Sequence, residues 1–425
     1  MKNGYSQMKC GLLGEHLTHS FSPLIHKMLA DYEYKIYDIS ADTLENFVKD
    51  SNVDAFNVTI PYKKAVMPLL DEVSKEATSI GAVNVVVRKN GKLYGYNTDY
   101  FGFCYMLNSA KINVSGKKAL LLGNGGAAAT IKAVLTDRRI GEIVIIDKDD
   151  NTPKNLMRHQ DAKLIINASP VGMYPNNRKA AIDLSRFPKC EAVLDIVYNP
   201  ARTELILQAE SLGITAVGGL SMLVAQAARG FELFTSNTYE EGIIEAIINK
   251  ICRDTQNIIL VGMPSSGKST VGTLLAEKLS RNFFDADVEF KKMHGITPAE
   301  AINTLGEPKF REMETATLAE LGKMSGAVIA TGGGAVTREE NYPSLHQNGV
   351  IVYLTRDLDK LSTEGRPLSQ KNSLAELYKK RKAAYERFTD ITVENNSTPE
   401  QAITNTLDAL NRFIYSCVYS SKKEN

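Results

Sequence analysis

One nine-residue segment, Gly262-Met-Pro-Ser-Ser-Gly-Lys-Ser-Thr270, constrains the fold of this chain more than any other. It matches GxxxxGK[ST], a loop that works only between a buried strand and a helix start, where backbone N–H groups close around phosphate oxygens. The flanks supply that context. Asn257-Ile-Ile-Leu-Val261 reads as the buried strand, and residues 271–279 carry apolar side chains at helical spacing. The C-terminal part is therefore expected to bind a nucleoside triphosphate. Gly262 and Gly267 allow the turn, Ser265, Ser266 and Thr270 line it, Lys268 reaches the outer phosphates, and Ser269 is placed to ligate Mg2+.

Short apolar runs at residues 9–13, 55–59, 119–122, 143–146, 164–167, 192–195, 258–261, 327–330 and 350–354 alternate with helical patterns. That alternation predicts α/β domains with largely parallel sheets. At 425 residues the chain exceeds one ordinary core, so two or three domains are expected. Fifty basic against forty-nine acidic residues leave a formal charge of +1, which gives nucleic acid no general attraction. No apolar run is long enough to span a bilayer, and the five cysteines follow no metal or disulfide spacing. These features predict a cytoplasmic protein with neither nucleic acid nor membrane as partner.

A second glycine-rich turn follows the strand-like run at 119–122. Gly123-Asn-Gly125-Gly126-Ala127-Ala128 fits G-x-G-x-x-A, in which the first glycine makes the turn, the second admits a pyrophosphate, and the small third residue permits close helix packing. Asp147 ends the next strand, where an acidic residue would meet a ribose. Upstream, His19-Ser-Phe-Ser-Pro23, Asn57-Val-Thr-Ile-Pro-Tyr-Lys63 and Gly95-Tyr-Asn-Thr-Asp99 gather hydroxyls, a lysine and an aspartate at strand ends. Together they hold what a ketone reductase needs: groups for an anionic polyol, and a proton donor to accompany hydride transfer.

These blocks, with Gly81-Ala-Val-Asn84, Asn167-Ala-Ser-Pro-Val-Gly-Met173, Val197-Tyr-Asn-Pro200 and Gly218-Gly-Leu-Ser-Met-Leu-Val-Ala-Gln226, resemble in order the signature of shikimate dehydrogenase over residues 8–235. The resemblance implies reduction of 3-dehydroshikimate to shikimate by NADPH. It places Ser20 and Ser22 on the substrate carboxylate, and Thr59, Asn84, Tyr198 and Gln226 around the ring. Lys63 and Asp99 become the catalytic pair, since a lysine beside a carboxylate keeps its charge and can donate a proton to the developing alkoxide. Gly123, Gly125, Gly126, Ala127, Gly219 and Met222 are assigned to the dinucleotide. The family usually shows Asn-Arg-Thr after the second strand, whereas this chain has Asp147-Lys148-Asp149. The carboxylate favours the free ribose of NADH, and Lys148 partly restores affinity for a 2′-phosphate. Only a short segment separates Asp147 from Ile165, with room for one helix but barely for the additional strand usual in this half.

Beyond the phosphate loop, Asp285 and Asp287 end a strand-like run at i and i+2, Arg311 lies in a helical stretch, Gly332-Gly333-Gly334 follow another strand, and Arg366-Pro-Leu and Arg381-Lys-Ala-Ala-Tyr-Glu-Arg387 add guanidiniums. In this order they resemble shikimate kinase over residues 257–412. The resemblance implies ATP-dependent phosphorylation of the shikimate 3-hydroxyl. Lys268 and Ser269 would hold phosphates and Mg2+, with Asp285 supporting the metal and Asp287 orienting the hydroxyl. Arg311 and Arg387 would bind the substrate carboxylate, Gly332, Gly333 and Gly334 would line the ring, and Arg366 would sit on a closing lid that lacks the usual extra arginine before it.

The chain thus reads as a fusion. An α/β substrate domain at residues 1–100, to which helices in 220–250 return, is followed by a Rossmann-like NAD(P) domain at 101–235. A junction at 236–255 leads to a P-loop kinase domain with a parallel sheet, resembling the nucleoside monophosphate kinases, at 256–425. Two alternatives change only the first activity: an NAD-preferring quinate or shikimate dehydrogenase, or a shikimate-binding module without catalysis. The C-terminal Ser-Ser-Lys-Lys-Glu-Asn is expected to be a solvated, disordered end.

Overall fold

Three sheets organise the chain in the computed structural model, which describes residues 4–17, 20–361, 374–413 and 419–420. The first has strand order β2-β1-β3-β5-β6-β4, with β1 at Lys9–Gly14, β2 at Glu33–Asp38, β3 at Ala55–Val58, β4 at Glu72–Val73, β5 at Val85–Lys89 and β6 at Lys92–Tyr96. It is mixed. β1 runs parallel to β2 and β3, but β5 is antiparallel to both β3 and β6. The expectation of largely parallel sheets holds for the chain, and β5 is the local exception to it. The cause is local: Asn90 and Gly91 both take the left-handed backbone, at φ 53° and 77°, and close a two-residue hairpin whose twist matches that of its strands.

The second sheet follows β7 (Lys118–Leu122), β8 (Glu142–Ile146), β9 (Leu164–Asn167), β10 (Ala192–Asp195) and β11 (Thr215–Gly218). Its order is β8-β7-β9-β10-β11, all parallel. Leu120, Leu121, Ile165, Ile166, Val193 and Leu194 are all fully buried, as strands covered on both faces must be. Between β8 and β9 the chain makes only the helical turn Pro153–Leu156 and a 3-10 turn at Met157–His159, so β8 is the edge. The third sheet contains β12 (Asn257–Val261), β13 (Phe283–Asp285), β14 (Val328–Ala330), β15 (Gly349–Thr355) and β16 (Ile391–Glu394). Its order β13-β14-β12-β15-β16 is wholly parallel and puts the phosphate-loop strand at the centre.

Two helices tie these layers together. Leu220–Thr235 leaves the second sheet and packs along Asp99–Ser109 of the first unit, where a Cβ on Gly102 would stand 2.6 Å from the Met222 carbonyl oxygen. Only glycine permits that approach. Ile243–Thr255 then buries Ile244, Ile247, Ile248 and Ile251, spaced along one helix face, against Val224, Ala225 and Ala228. Much of the expected junction, residues 236–255, is therefore this packed helix. A further strand, β17 (Tyr419–Ser420), pairs antiparallel with Ala216 and Val217 of β11, so Ser420 is held in a sheet; residues 421–425 lie outside the described residues. No helix among the described residues is long and apolar enough to cross a membrane.

Candidate functional site

The first candidate site gathers at the C-terminal ends of β3 and β6. Lys63 follows β3, and Asp99 opens the helix Asp99–Ser109, whose N-terminus favours a carboxylate. The Lys63 ammonium donates to Asp99 Oδ2 at 2.6 Å, with the side chains 18% and 9% exposed. Such a pair is shielded yet open to a ligand on one side. Asp99 Oδ1 accepts from Asn84 Nδ2 at 3.0 Å, and the same amide reaches Gln226 Oε1 at 3.4 Å. Asn84 Oδ1 in turn accepts the Thr98 backbone N–H at 2.7 Å. Four expected residues, Lys63, Asp99, Asn84 and Gln226, are therefore brought together. Thr98 joins them through its hydroxyl, 3.3 Å from Gln226 Oε1. It had been given no role, although it sits inside the Asn97-Thr98-Asp99 cluster.

Ser20 and Ser22 stand at the start of the helix Ser22–Leu29, where the Ser20 hydroxyl accepts the Ser22 N–H at 3.1 Å. Tyr198 packs its ring against Phe21 at 5.3 Å between centroids. Burial raises the pKa of the Tyr198 hydroxyl, and its hydrogen bond with Ser20 opposes that rise. Thr59, half-buried, follows β3 with its N–H on the Leu13 carbonyl. His19 lies outside the described residues.

The glycine turn after β7 points at this cluster. Gly123 adopts φ 107°, and a Cβ there would meet the Ala168 carbonyl oxygen at 3.1 Å, which fixes glycine. Gly125 caps the helix Gly126–Asp137 without a side-chain hydrogen bond, leaving first-turn N–H groups for an anion. Nothing stands within 4 Å of a Cβ on Gly125, while one on Gly126 would lie 3.6 Å from Lys63 Cδ. Ala127 is the next residue of that helix. These features fit a dinucleotide pyrophosphate lying next to the Lys63–Asp99 pair. Asp147 is different. Its Oδ1 accepts the N–H groups of Asp149 and Asp150 at 2.9 and 3.2 Å, while Lys148 is exposed. A carboxylate thus caps the turn that follows β8. Gly219 underlies Ile196, whose carbonyl oxygen a Cβ would overlap, and Met222 is buried in the core beside Phe103.

Asp195, at the end of β10, was missed. It accepts from Asn167 Nδ2 at 2.9 Å, Val197 N–H at 3.0 Å and Thr203 Oγ1 at 2.6 Å. Burial pushes its carboxyl up to about 7 against the pull of those three donors. Its geometry anchors the segment that carries Tyr198.

The second candidate site surrounds β12. Ser265, Gly262 and Gly267 take positive φ values of 66°, 152° and 91°, forming the loop that ends in the helix Lys268–Leu279. Lys268 Nζ donates to the carbonyls of Gly262 and Met263 at 3.0 and 2.9 Å. The Ser269 hydroxyl donates to Asp285 Oδ2 at 2.6 Å, and Thr270 follows it in the helix. A hydroxyl and a carboxylate at one phosphate loop are a donor set suited to Mg2+. The Ser266 carbonyl accepts from Asn395 Nδ2 at 2.8 Å, a brace from the end of β16 that the sequence did not reveal.

Opposite this loop lies the glycine track. A Cβ on Gly332 would stand 2.7 Å from Glu314 Oε1 and 3.5 Å from Asp287 Oδ1, and one on Gly333 would stand 2.6 Å from Pro264 Cδ. On Gly334 it would overlap the Arg311 guanidinium. Arg311 Nη1 pairs with Glu314 Oε2 at 2.6 Å, with side chains 10% and 6% exposed. Burial pushes the Glu314 carboxyl up, and Arg311 draws it back. Glu314 had been given no role. The structure places Arg387 on the surface: its guanidinium is 57% exposed and pairs with Glu339 at 2.9 Å. The residue that reaches the track is Arg381, buried, with Nη1 donating to the Gly333 carbonyl at 3.0 Å beside the Tyr385 hydroxyl at 2.5 Å. Arg366 lies outside the described residues.

Comparison with known proteins follows the same division. The family described as Shikimate dehydrogenase substrate binding domain matches residues 12–86, and the one described as Shikimate kinase matches residues 264–411. Shikimate dehydrogenase (NADP(+)) of Clostridium perfringens (strain 13 / Type A) is 38% identical over 266 residues, covering 57% of this chain and 98% of that protein. The structure of Shikimate Dehydrogenase 1 from Peptoclostridium difficile is 34% identical, covers 57% of this chain and 97% of its own, and superposes with a TM-score of 0.53. A chorismate mutase/shikimate 5-dehydrogenase fusion protein from Clostridium acetobutylicum is 32% identical, with coverage of 57% and 95% and a TM-score of 0.54.

Proposed function

We propose, because this chain belongs to the shikimate dehydrogenase family over its N-terminal part and carries a shikimate kinase domain after it, that it catalyses two consecutive steps. The first reduces 3-dehydroshikimate to shikimate, and the second phosphorylates shikimate from ATP. Residues 1–235 serve the first step, 256–425 the second, and 236–255 join them.

The observation that carries the first activity is the 2.6 Å Lys63–Asp99 pair with the glycine start of the dinucleotide helix against it. Nicotinamide supplies the hydride when bound. Lys63 donates the proton that a carbonyl oxygen needs as it becomes an alcohol, and Asp99 holds the ammonium in place. Asn84 fixes Asp99 from behind, while Ser20, Ser22, Thr59, Tyr198 and Gln226 hold the carboxylated ring. This preformed donor pair is what a module that only senses shikimate would not require. NADP(H) is the cofactor of the named relative; the Asp147 carboxylate in the ribose turn supports use of NADH as well.

For the second activity, Arg311 and Arg381 at the glycine track hold the shikimate carboxylate, and Asp287 faces the same space to orient the accepting hydroxyl. Lys268 and the loop N–H groups hold the phosphates, and Ser269 with Asp285 would hold Mg2+, which offsets phosphate charge when bound. The test is the intact chain given 3-dehydroshikimate, NADPH or NADH, ATP and Mg2+. Lys63→Ala should stop cofactor oxidation while ATP consumption with added shikimate continues, and Lys268→Ala should do the reverse. A Lys63→Ala chain that still oxidises cofactor at the wild-type rate refutes the first assignment, and a Lys268→Ala chain that still consumes ATP refutes the second.

A further inference from the structure

Arg202 belongs to the dehydrogenase part, seven residues beyond Asp195, yet its surroundings come from the kinase part. It is 3% exposed. Its backbone N–H donates to the Gln347 carbonyl at 2.8 Å, and its Nη1 donates to the carbonyls of His346 and Gly349 at 3.1 and 3.5 Å. Its Nε lies 3.3 Å from Glu210 of its own unit. Burying a guanidinium is expensive unless its donors are met, and three of these contacts exist only when the kinase edge that enters β15 is in place. Two neighbours strengthen the seat: Asn177 Nδ2 donates to Gln347 Oε1 at 2.7 Å, and Arg178 Nη1 donates to the Ser344 hydroxyl at 2.9 Å. The pairing of β17 with β11 is a separate attachment of the chain beyond the kinase to the dehydrogenase sheet.

The segment that ends at Arg202 begins at the substrate wall. Asp195 pins both ends of it, through Val197 N–H before Tyr198 and Thr203 Oγ1 after Arg202, and the Tyr198 ring packs onto Phe21 between them. A narrow cleft on this wall is lined by Phe21 and Tyr198 from one unit and by Ser325 and Asn348 from the other. We propose that the kinase unit is a docking partner of the dehydrogenase within the same chain, and that Arg202, seated on residues 346–349, is a positioning residue which holds the Tyr198 segment for substrate. This rests on the assignment of the first site to shikimate. Its consequence is that the affinity of the dehydrogenase for shikimate depends on a residue seated on the kinase edge.

The experiment uses full-length chains, following shikimate oxidation by cofactor reduction and hydrogen exchange of the peptide spanning residues 196–203. Arg202→Ala should raise the KM for shikimate by about fivefold or more with kcat changed less than about twofold, the range of a modest coupling between sites. Exchange in 196–203 should rise with it, and Arg202→Lys should fall between. Should Arg202→Ala fail to fold, as judged by circular dichroism, the double variant Arg178→Ala/Gln347→Ala carries the same expectation at smaller size. Unchanged exchange in the folded variant overturns the docking, and raised exchange with unchanged KM overturns the positioning. If the wild type does not oxidise shikimate at all, the dehydrogenase assignment and the positioning claim fall together, and exchange in 196–203 then tests the docking on its own.

Discussion

Arg381 and Arg387 share one helix, and the structure predicts opposite outcomes for their removal. Arg381 is buried at the glycine track, its guanidinium on the Gly333 carbonyl at 3.0 Å, where water cannot replace it. Truncating one member of a buried, hydrogen-bonded charge pair with a ligand costs ~2–5 kcal/mol. At ~1.4 kcal/mol per tenfold, Arg381→Ala should raise the KM of the kinase for shikimate roughly 30-fold to several-thousand-fold. Arg387 is 57% exposed and its partner Glu339 is 76% exposed. A screened surface pair of that kind contributes about 0–1 kcal/mol, so Arg387→Ala should change KM by less than about fivefold. The assay couples ADP release to a chromogenic reaction while shikimate is titrated at saturating ATP. Hydride transfer by the same chains is the internal control for folding, and it should be unchanged in both. If Arg387→Ala raises KM more than Arg381→Ala does, the geometry of the track is wrong and the reasoning fails.

The remaining predictions concern the cofactors and the glycine track. Asp147→Ser should shift the NADPH-to-NADH ratio of kcat/KM toward NADPH by about tenfold, the equivalent of removing one like-charge contact worth ~1.4 kcal/mol; an unmoved ratio would show that Asp147 does not face the ribose. Chelation with EDTA should stop phosphoryl transfer and leave hydride transfer intact, since Ser269 and Asp285 belong only to the second site. Gly334→Ala should abolish shikimate phosphorylation, because the new Cβ overlaps the Arg311 guanidinium, while the dehydrogenase rate serves as the unaffected reference.

The two glycine loops were legible because each needs a fixed local string, and residues near them followed. Arg381 was within reach of a stricter reading. Leu377, Arg381, Tyr385 and Phe388 recur at helical spacing and form one buried face, from which Arg387 is excluded. The antiparallel hairpin was legible as well, since Asn90-Gly91 between two strand-like runs is a strong turn signal that competed with the α/β alternation around it. Lys63 and Asp99 are 36 residues apart, and no periodicity joins them; the chemistry of a ketone reduction and the family resemblance suggested the pair, and the structure supplies its contact. Arg202 was beyond any local reading. An arginine after Asn-Pro is an ordinary loop residue until another unit supplies its carbonyls.

That last case bears on what fusion achieves here. A tether alone raises the local concentration of shikimate only while the product stays near, and a small acid diffuses away faster than a turnover of either site. The net charge of +1 offers no field to retain it. Neither argument reaches a fixed contact. If the kinase edge seats Arg202, the benefit is present before any product is made, because the dehydrogenase substrate wall is ordered in the resting chain and the entropy of ordering is not charged to each binding event. Fusion would then act on affinity at the first site rather than on transfer between sites. The two accounts separate in one measurement: with 3-dehydroshikimate as the starting substrate, an excess of the doubly inactive chain Lys63→Ala/Lys268→Ala, added as a trap for free shikimate, should lower phosphorylation by the wild type under the seating account, whereas retention by the tether predicts no fall.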